Sequence, residues 1–578
     1  MKRGWFGRIL ADGRALVERA RPFHRGKRRR LVAVAAKVVA LLTGLMGVIN
    51  VLSAVTPGLP ERLKLIRGHW PLEVRRGGHL AAALAGFGLM VLSNGLFRRK
   101  RTAWYLTLAV LLVSIVSHLI KALDYEEAGL AAGLALWLFA LRSHFQALSD
   151  PPSIRQGLWV LAVAGVSTLA YGVAGFYLLD HHFRVNFGFG AALRQTVTMF
   201  TEFYDPGLQP ITGFGRFFAQ SIYLVAASTF AYALYMLVRP VLIRGPASAE
   251  QRRRARAIVE AHGRSALAAF ALLDDKQYFL SAGGSVIAYV VSGRVALTLG
   301  DPIGPIDDAP TAIAEFMARC RRDDWQPAFF QVLPDYLDHY RAAGMTVAAI
   351  GHEAIVNAQT FDLAGKAGKT IRTSMNRLTR EGYRAEVLAP PIAQAMVDEL
   401  RLVSDEWLTR MHGTEKRFSL GWFDDGYIRG APVMVIRAAD GTISAFANIV
   451  SEYRLNETTV DMMRHREDAQ TGTMDFLFVN LIEWAKAQGY DTFNLGLSAL
   501  AGVGGEAGDP MAEKAFHFIY ENISRFYDFR GLHRFKSKFQ PSWSPRYVVY
   551  PGTLSLLAVL QAIVRAQSGD SGLLGYLR

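Results

Sequence analysis

The chain has 578 residues, a formal net charge of +16, an isoelectric point near 9.8 and a single cysteine, Cys320. That length is too great for one domain, and the lone thiol excludes an internal disulfide and any Cys-rich metal site. The basic excess fits an anionic partner, either a membrane surface or RNA, although cytoplasmic loops of membrane proteins carry Lys and Arg in any case.

The character of the chain changes once, near residue 245. Before it, six apolar stretches of roughly 18–25 residues are long enough to cross a bilayer as helices. They fall near Leu31–Thr56, His79–Phe97, Ala103–Ala122, Ala128–Ala147, Gly157–Leu179 and Phe214–Ile243. Lys27-Arg-Arg-Arg30 precedes the first, which is too long for a signal sequence and reads as an anchor. Arg98-Arg-Lys-Arg101 and Arg252-Arg-Arg254 lie on the same side as that cluster, while Asp124, Glu126 and Glu127 lie on the other. The positive-inside rule then puts both termini in the cytoplasm, with the basic loop 62–76 as an exception. Ala191–Pro210 is too polar to span and is expected either to lie in the interface or to re-enter.

From about Ser265 the pattern is mixed α/β. Short strands over Gln277–Leu280, Ser285–Val291 and Val295–Leu299 lead into Gly300-Asp-Pro-Ile-Gly-Pro305, then helix, strand, helix and strand to Ile350. A second part repeats the logic, with helix Ile392–Arg410, strands Val433–Arg437, Thr442–Tyr453 and Thr458–Arg464, helix Met474–Gln488 and strand Thr492–Leu495. Two such units suggest duplicated α+β modules. The expected organisation is a basic N-terminus (1–30), a membrane domain (31–245), two subdomains (265–390 and 391–552) and a C-terminal amphipathic segment (553–578). Leu554–Val564 is too short to span, and packing on the preceding domain is its commoner fate.

Three places carry candidate chemistry. The strand Thr458–Arg464 runs into Gln470-Thr-Gly-Thr473 at a helix start, where unpaired amides suit an anion. This resembles the strand–loop–helix of the GNAT acetyltransferase superfamily, but one glycine and the adjacent Glu467 and Asp468 argue against acyl-CoA as donor. In Lys366–Glu381 a helix brings Lys369, Arg372, Asn376 and Arg380 to one face, either for RNA phosphate or anionic lipid or as a solvated surface. The run Gly531–Trp543 is read as a strand, with Arg534, Lys536 and Lys538 together on one face toward an anion. No Gly-x-Ser-x-Gly elbow, His-Glu-x-x-His or other metal-ligand spacing is present.

Seven ordered motifs together resemble the MprF-type aminoacyl-phosphatidylglycerol synthases: Asp275-Lys-Gln-Tyr-Phe279, Gly300–Pro305, Ser404-Asp-Glu-Trp-Leu408, Phe418-Ser-Leu-Gly421, Asp461-Met-Met-Arg464, Asn494-Leu-Gly-Leu-Ser498 and Arg534–Phe539. The resemblance implies a multi-pass α-helical membrane domain followed by an α+β tandem GNAT-like acyltransferase domain on the cytoplasmic face of a bacterial inner membrane. It implies transfer of an aminoacyl group, lysyl first and alanyl second, from aminoacyl-tRNA to phosphatidylglycerol, which lowers attraction of the membrane for cationic antimicrobial peptides. No cofactor or metal is expected, with aminoacyl-tRNA as co-substrate and phosphatidylglycerol and the membrane as partners. Larger members have a further membrane domain that moves the product, so flipping by this six-span form is not expected. The carry-over gives Asp461, Arg464, Lys538 and, by its position before the basic run, Glu521 as catalytic, and Lys536, Arg534, Asn494 and Ser498 as substrate-binding; the basic helix face adds Arg372 and Lys369 as substrate-binding candidates. Asp461 is expected either to orient Arg464 or to hold the donor amino group. The rival readings are a membrane-anchored acyl-CoA transferase, a lipid transporter with a regulatory domain and a tethered RNA binder.

Overall fold

The computed structural model describes residues 34–50, 72–122, 124–149, 188–202, 246–366, 368–411, 415–451, 453–499 and 529–568, with scattered residues between 159 and 241. Two units are distinguished, and the second comprises Ile243–Arg321 with Trp325–Arg578.

In the first unit, helices cover Val34–Asn50, Leu72–Phe97, Arg101–Ala122, Tyr125–Ala140 and Phe189–Glu202. Val39, Leu89, Leu92, Leu111 and Leu138 form a buried seam between them, while Leu112 and Leu136 face outward. Apolar side chains on both faces mark a helix buried in a large protein or spanning a membrane. Among the described residues one helix, Arg101–Leu119, is long and apolar enough to cross a membrane. The stretch expected over 128–147 is helical only to Ala140, where the chain turns into a short 3-10 helix at Arg142–His144. Ala191–Pro210, expected to lie in the interface or to re-enter, begins inside the helix Phe189–Glu202. The expected spans at 157–179 and 214–243, and the basic N-terminus, lie largely or wholly outside the described residues.

The second unit is built on an eleven-stranded mixed sheet of order β1-β2-β3-β4-β11-β5-β10-β9-β8-β7-β6. The strands are β1 (Gln277–Leu280), β2 (Val286–Ser292), β3 (Val295–Leu299), β4 (Gln326–Val332), β5 (Thr346–Asn357), β6 (Arg384–Leu388), β7 (Val433–Arg437), β8 (Ile443–Ser451), β9 (Glu457–His465), β10 (Thr492–Ala499) and β11 (Ser542–Tyr550). Among the described strands only β3/β4 and β9/β10 run parallel, and each pair is joined through a helix, Ala309–Asp323 and Thr473–Ala487. The same device, an antiparallel meander followed by a helical crossover, thus occurs twice, as the strand pattern suggests. Two strands cross the expected boundary at 390. β6 precedes it yet pairs with β7, and β11, late in the chain, inserts between β4 and β5.

Six helices of this unit bear on the site: α1 (Lys369–Arg380), α2 (Gln394–Arg410), α3 (Asp425–Arg429), α4 (Thr473–Ala487), α5 (Phe529–Ser537) and α6 (Leu556–Ser568). One core lies between the sheet and α4, where Phe478, Leu481 and Ile482 meet Val356, Val460 and Phe493. Another gathers Leu297, Leu299, Ile350, Val548 and Tyr550 under Val559 and Ile563 of α6. The terminal segment therefore packs on the domain, leaving Leu554 and Leu557 exposed.

The run Gly531–Trp543 is a helix followed by the start of β11, contrary to the expected strand. Phe535 and Phe539 are four residues apart, a spacing that satisfies both the strand period of two and the helical period in a short window. Packing decides it: both rings close on Phe478 of α4, at 5.4 and 5.7 Å between centroids. The helical turn separates the three cations, leaving Arg534 and Lys538 exposed and Lys536 buried.

Candidate active site

The parallel strands β9 and β10 pair over only three positions, 457–459 against 492–494. Past Asn494 they make no further pairs, although β9 continues to His465 and β10 to Ala499. A bulge in β10 opens this gap. Gly496 takes a left-handed backbone (φ 79°), its N–H donates to Asn494 Oδ1 at 2.8 Å, and Asn494 Nδ2 donates to Glu457 at 2.9 Å. Asn494 is thus committed to holding the bulge. Lys536 of α5 reaches the carbonyls of Gly496 and Leu497 at 3.0 and 2.9 Å. Burial of that ammonium pushes Lys536 down to about 7, with Glu353 opposing. Ser498 meets His533 Nδ1 at 3.3 Å, and the His533 ring lies over Trp543.

Asp461 and Arg464 are three apart on β9, which on a flat strand would send them to opposite faces. A register shift against β8, between Ala447 and Ile449, inserts an extra residue, and Asn448 Oδ1 accepts the Met462 N–H there. Both side chains consequently meet the α2–α3 side. Asp461 accepts the Gly421 N–H on both oxygens at 2.9 Å and the Tyr427 hydroxyl at 2.9 Å. A Cβ at residue 421 would stand 2.1 Å from Asp461 Oδ2, so the loop can approach this closely only as glycine. Burial raises Asp461 to about 6, against the pull of these donors and of Arg464. Arg464 is held by Glu415 in a two-bond fork (3.0 and 2.6 Å), bonds Ser404 and sits 5.3 Å above the Trp407 ring. Its carboxylate partner is Glu415, so the expected direct orientation by Asp461 is replaced by a shared site with separate supports.

The other sequence candidates divide. Lys538 bonds Asp475 in the first turn of α4 at 2.9 Å. Arg372 is tied to the carbonyls of Leu363 and Gly365, and Lys369 stays exposed on the same helix. Arg534 is exposed on α5, and Glu521 lies outside the described residues. Helix α1 packs against the turn before α4: Ser374 stands 2.8 Å from where a Gly472 Cβ would be, and Arg377 donates to the Thr471 carbonyl. Sequence reasoning missed Glu415, Tyr427, Lys276 and His533 as site residues. Of these only Lys276 lies in one of the motifs, and the structure brings 275–279, 404–408, 418–421 and 461–464 to one place.

Residues 256–550 match the family model described as phosphatidylglycerol lysyltransferase, C-terminal. The chain belongs to this family. The phosphatidylglycerol lysyltransferase of Bacillus subtilis (strain 168) is 29% identical over 546 residues, covering 93% of this chain and 61% of that protein. The protein of the same name from Staphylococcus xylosus is 31% identical over 292 residues, half of this chain and 34% of its own length. The chain therefore spans about three fifths or less of these relatives. Among solved structures, the C-terminal domain of a putative lysylphosphatidylglycerol synthetase from Agrobacterium fabrum is 36% identical with a TM-score of 0.50, covering 56% of this chain and 99% of that one. The structure of L-PGS from Bacillus licheniformis gives the same identity and score over 54% and 94%. The C-terminal domain of this family member, built on a mixed sheet, shares the fold of these two structures.

Proposed function

We propose that this chain transfers an aminoacyl group, lysyl in the first place, from aminoacyl-tRNA to a glycerol hydroxyl of phosphatidylglycerol. The observation that carries the reading is the Asp461–Arg464 centre, placed on the strand that parts from β10, within the span matched to the lysyltransferase family. In a GNAT-like sheet the opening between two parallel strands is where an acyl donor can lie beside exposed backbone groups.

Donor and product are both esters, so the exchange is balanced without ATP. The glycerol oxygen bonds the acyl carbon, the bond from that carbon to the tRNA ribose oxygen breaks, and the hydroxyl proton ends on the ribose. What the protein must supply is alignment and stabilisation of the oxyanion that develops between these states. Arg464, fixed by Glu415, Ser404 and Trp407, presents a preorganised cation. Asp461, raised to about 6, is suited to accept and return a proton or to hold the donor amino group. Lys536 near 7 is a second group able to exchange a proton at working pH.

Ser374, packed close against Gly472, crowds the start of α4 where an acyl-CoA pyrophosphate would have to lie, which favours this reading over acyl-CoA. The apolar first unit is proposed to be a multi-pass anchor that keeps the catalytic domain at the cytoplasmic face of a bacterial inner membrane. The test is transfer by purified protein on phosphatidylglycerol vesicles, with tRNA charged separately with labelled lysine or alanine. Label entering lipid from lysyl-tRNA is expected. Label from alanyl-tRNA alone would reassign the donor, and none from either would overturn the reading.

A further inference from the structure

The loop Glu415–Asp424 supplies the Gly421 amide to Asp461 and the Glu415 carboxylate to Arg464, yet it belongs to no strand and only grazes a helix. Its position depends on what holds it elsewhere. One tether is the C-terminal helix: Arg417 N–H donates to the Gln567 carbonyl at 3.0 Å, and Gln567 Nε2 reaches Ser419 Oγ at 3.3 Å. The other comes from the first half of the sheet. Phe418 N–H donates to Asp275 Oδ2 at 3.0 Å, and the other oxygen of Asp275 takes the ammonium of Lys276. That ammonium lies 5.3 Å above the Phe418 ring. Phe418 itself is in the left-handed region (φ 69°), a conformation that a bulky residue keeps only when its surroundings impose it.

Lys276 is 1% exposed. An ammonium in that setting is costly unless paired, and burial pulls its proton affinity down while Asp275 and Asp461 pull it back. Asp461 therefore faces charged or titratable groups on several elements: Arg464 on its own strand, Glu415 on the loop, Tyr427 on α3 and Lys276 just before β1.

We propose that Asp275 and Lys276, contributed by the first half of the sheet, clamp the 415–424 loop at Phe418, and that Lys276 is a positioning residue for Asp461. The first half thereby acts on the reaction without touching substrate. Removing the Lys276 charge leaves Asp275 with no cation to orient it, loosens Phe418 and Gly421, and withdraws a cation that favours the Asp461 carboxylate.

The proposal rests on the transferase reading for its kinetic arm but not for its structural one. Hydrogen exchange of the full-length protein in detergent is compared for wild type, Lys276→Met and the milder Lys276→Gln. Amides 418 and 421 are expected to exchange about tenfold faster or more in the variants, while Val435 and Phe446 in the sheet keep their protection as the control for folding. In transfer, kcat is expected to fall about tenfold with KM for lipid within about twofold. The acid limb of the pH profile should move upward by about half a unit, because losing a nearby cation makes Asp461 harder to ionise. Unchanged exchange at 418 and 421, or a KM effect with no shift of the limb, overturns the clamp. A wild type that transfers nothing overturns the proposed function, and the exchange comparison still decides the clamp.

Discussion

At the scale of single residues, Asp461 stands between burial, which favours its neutral form, and two donors, Gly421 and Tyr427, with the Arg464 charge, which favour the carboxylate. Its ordinary value of 3.8 is lifted to about 6. Between those values the folded protein holds a proton that the unfolded chain has released, so stability falls as pH rises from about 4 to about 6 and is level above. Asp461→Asn removes this dependence. The variant's stability is expected to be flatter than wild type across that window by up to about 3 kcal/mol, read from unfolding at pH 4.5, 6 and 7.5. Parallel curves for the two proteins would show that burial does not govern this carboxyl. Arg464 illustrates the complementary case. Its guanidinium is buried with a bidentate carboxylate, a hydroxyl and an indole face, so its geometry is set before any substrate arrives.

At the scale of elements, the bulge in β10 matters most, because it stops the parallel pairing and leaves two carbonyls for Lys536. Gly496 adopts φ 79°, where a side chain is strained. Gly496→Ala is expected to lower stability by about 1 kcal/mol and to displace the carbonyls from Lys536. Transfer should then fall several-fold more than the stability loss explains; melting and turnover measured together distinguish this from simple unfolding. The strands were largely legible from sequence, since β1 to β3 and β7 to β10 have alternating or continuous apolar patterns bounded by Gly and Asp turns. Helix α5 was not, because Phe535 and Phe539 satisfy both periods and only Phe478, distant in sequence, selects the helix. β6 and α3 went unread because they are short and weakly patterned. Of the site, Asp461 and Arg464 were found through their motif, whereas Glu415 and Lys276 were not singled out. Their roles arise from the β9 bulge and from a loop that meets another part of the chain, and neither is written in local spacing.

At the scale of the molecule, two units of different character share one chain: an apolar helical unit with outward-facing Leu112 and Leu136, and a sheet domain with its own buried cores. The relative from Agrobacterium fabrum was solved as its C-terminal domain, and that domain aligns over 99% of its length with this chain. The sheet unit has its own cores, so a fragment of residues 246–578 is expected to fold alone. If the first unit serves as an anchor, its contribution is effective concentration: tethering to the bilayer converts encounter with lipid from three dimensions to two, and short tethers give local concentrations on the order of millimolar. The fragment should therefore transfer to phosphatidylglycerol in detergent micelles within about threefold of the full chain, where lipid is equally accessible to both. On sealed vesicles at low lipid its rate should fall by about tenfold or more, and raising lipid concentration should recover it. Equal loss in micelles and vesicles would mean instead that the helical unit shapes the catalytic domain itself, and anchoring would no longer account for its presence.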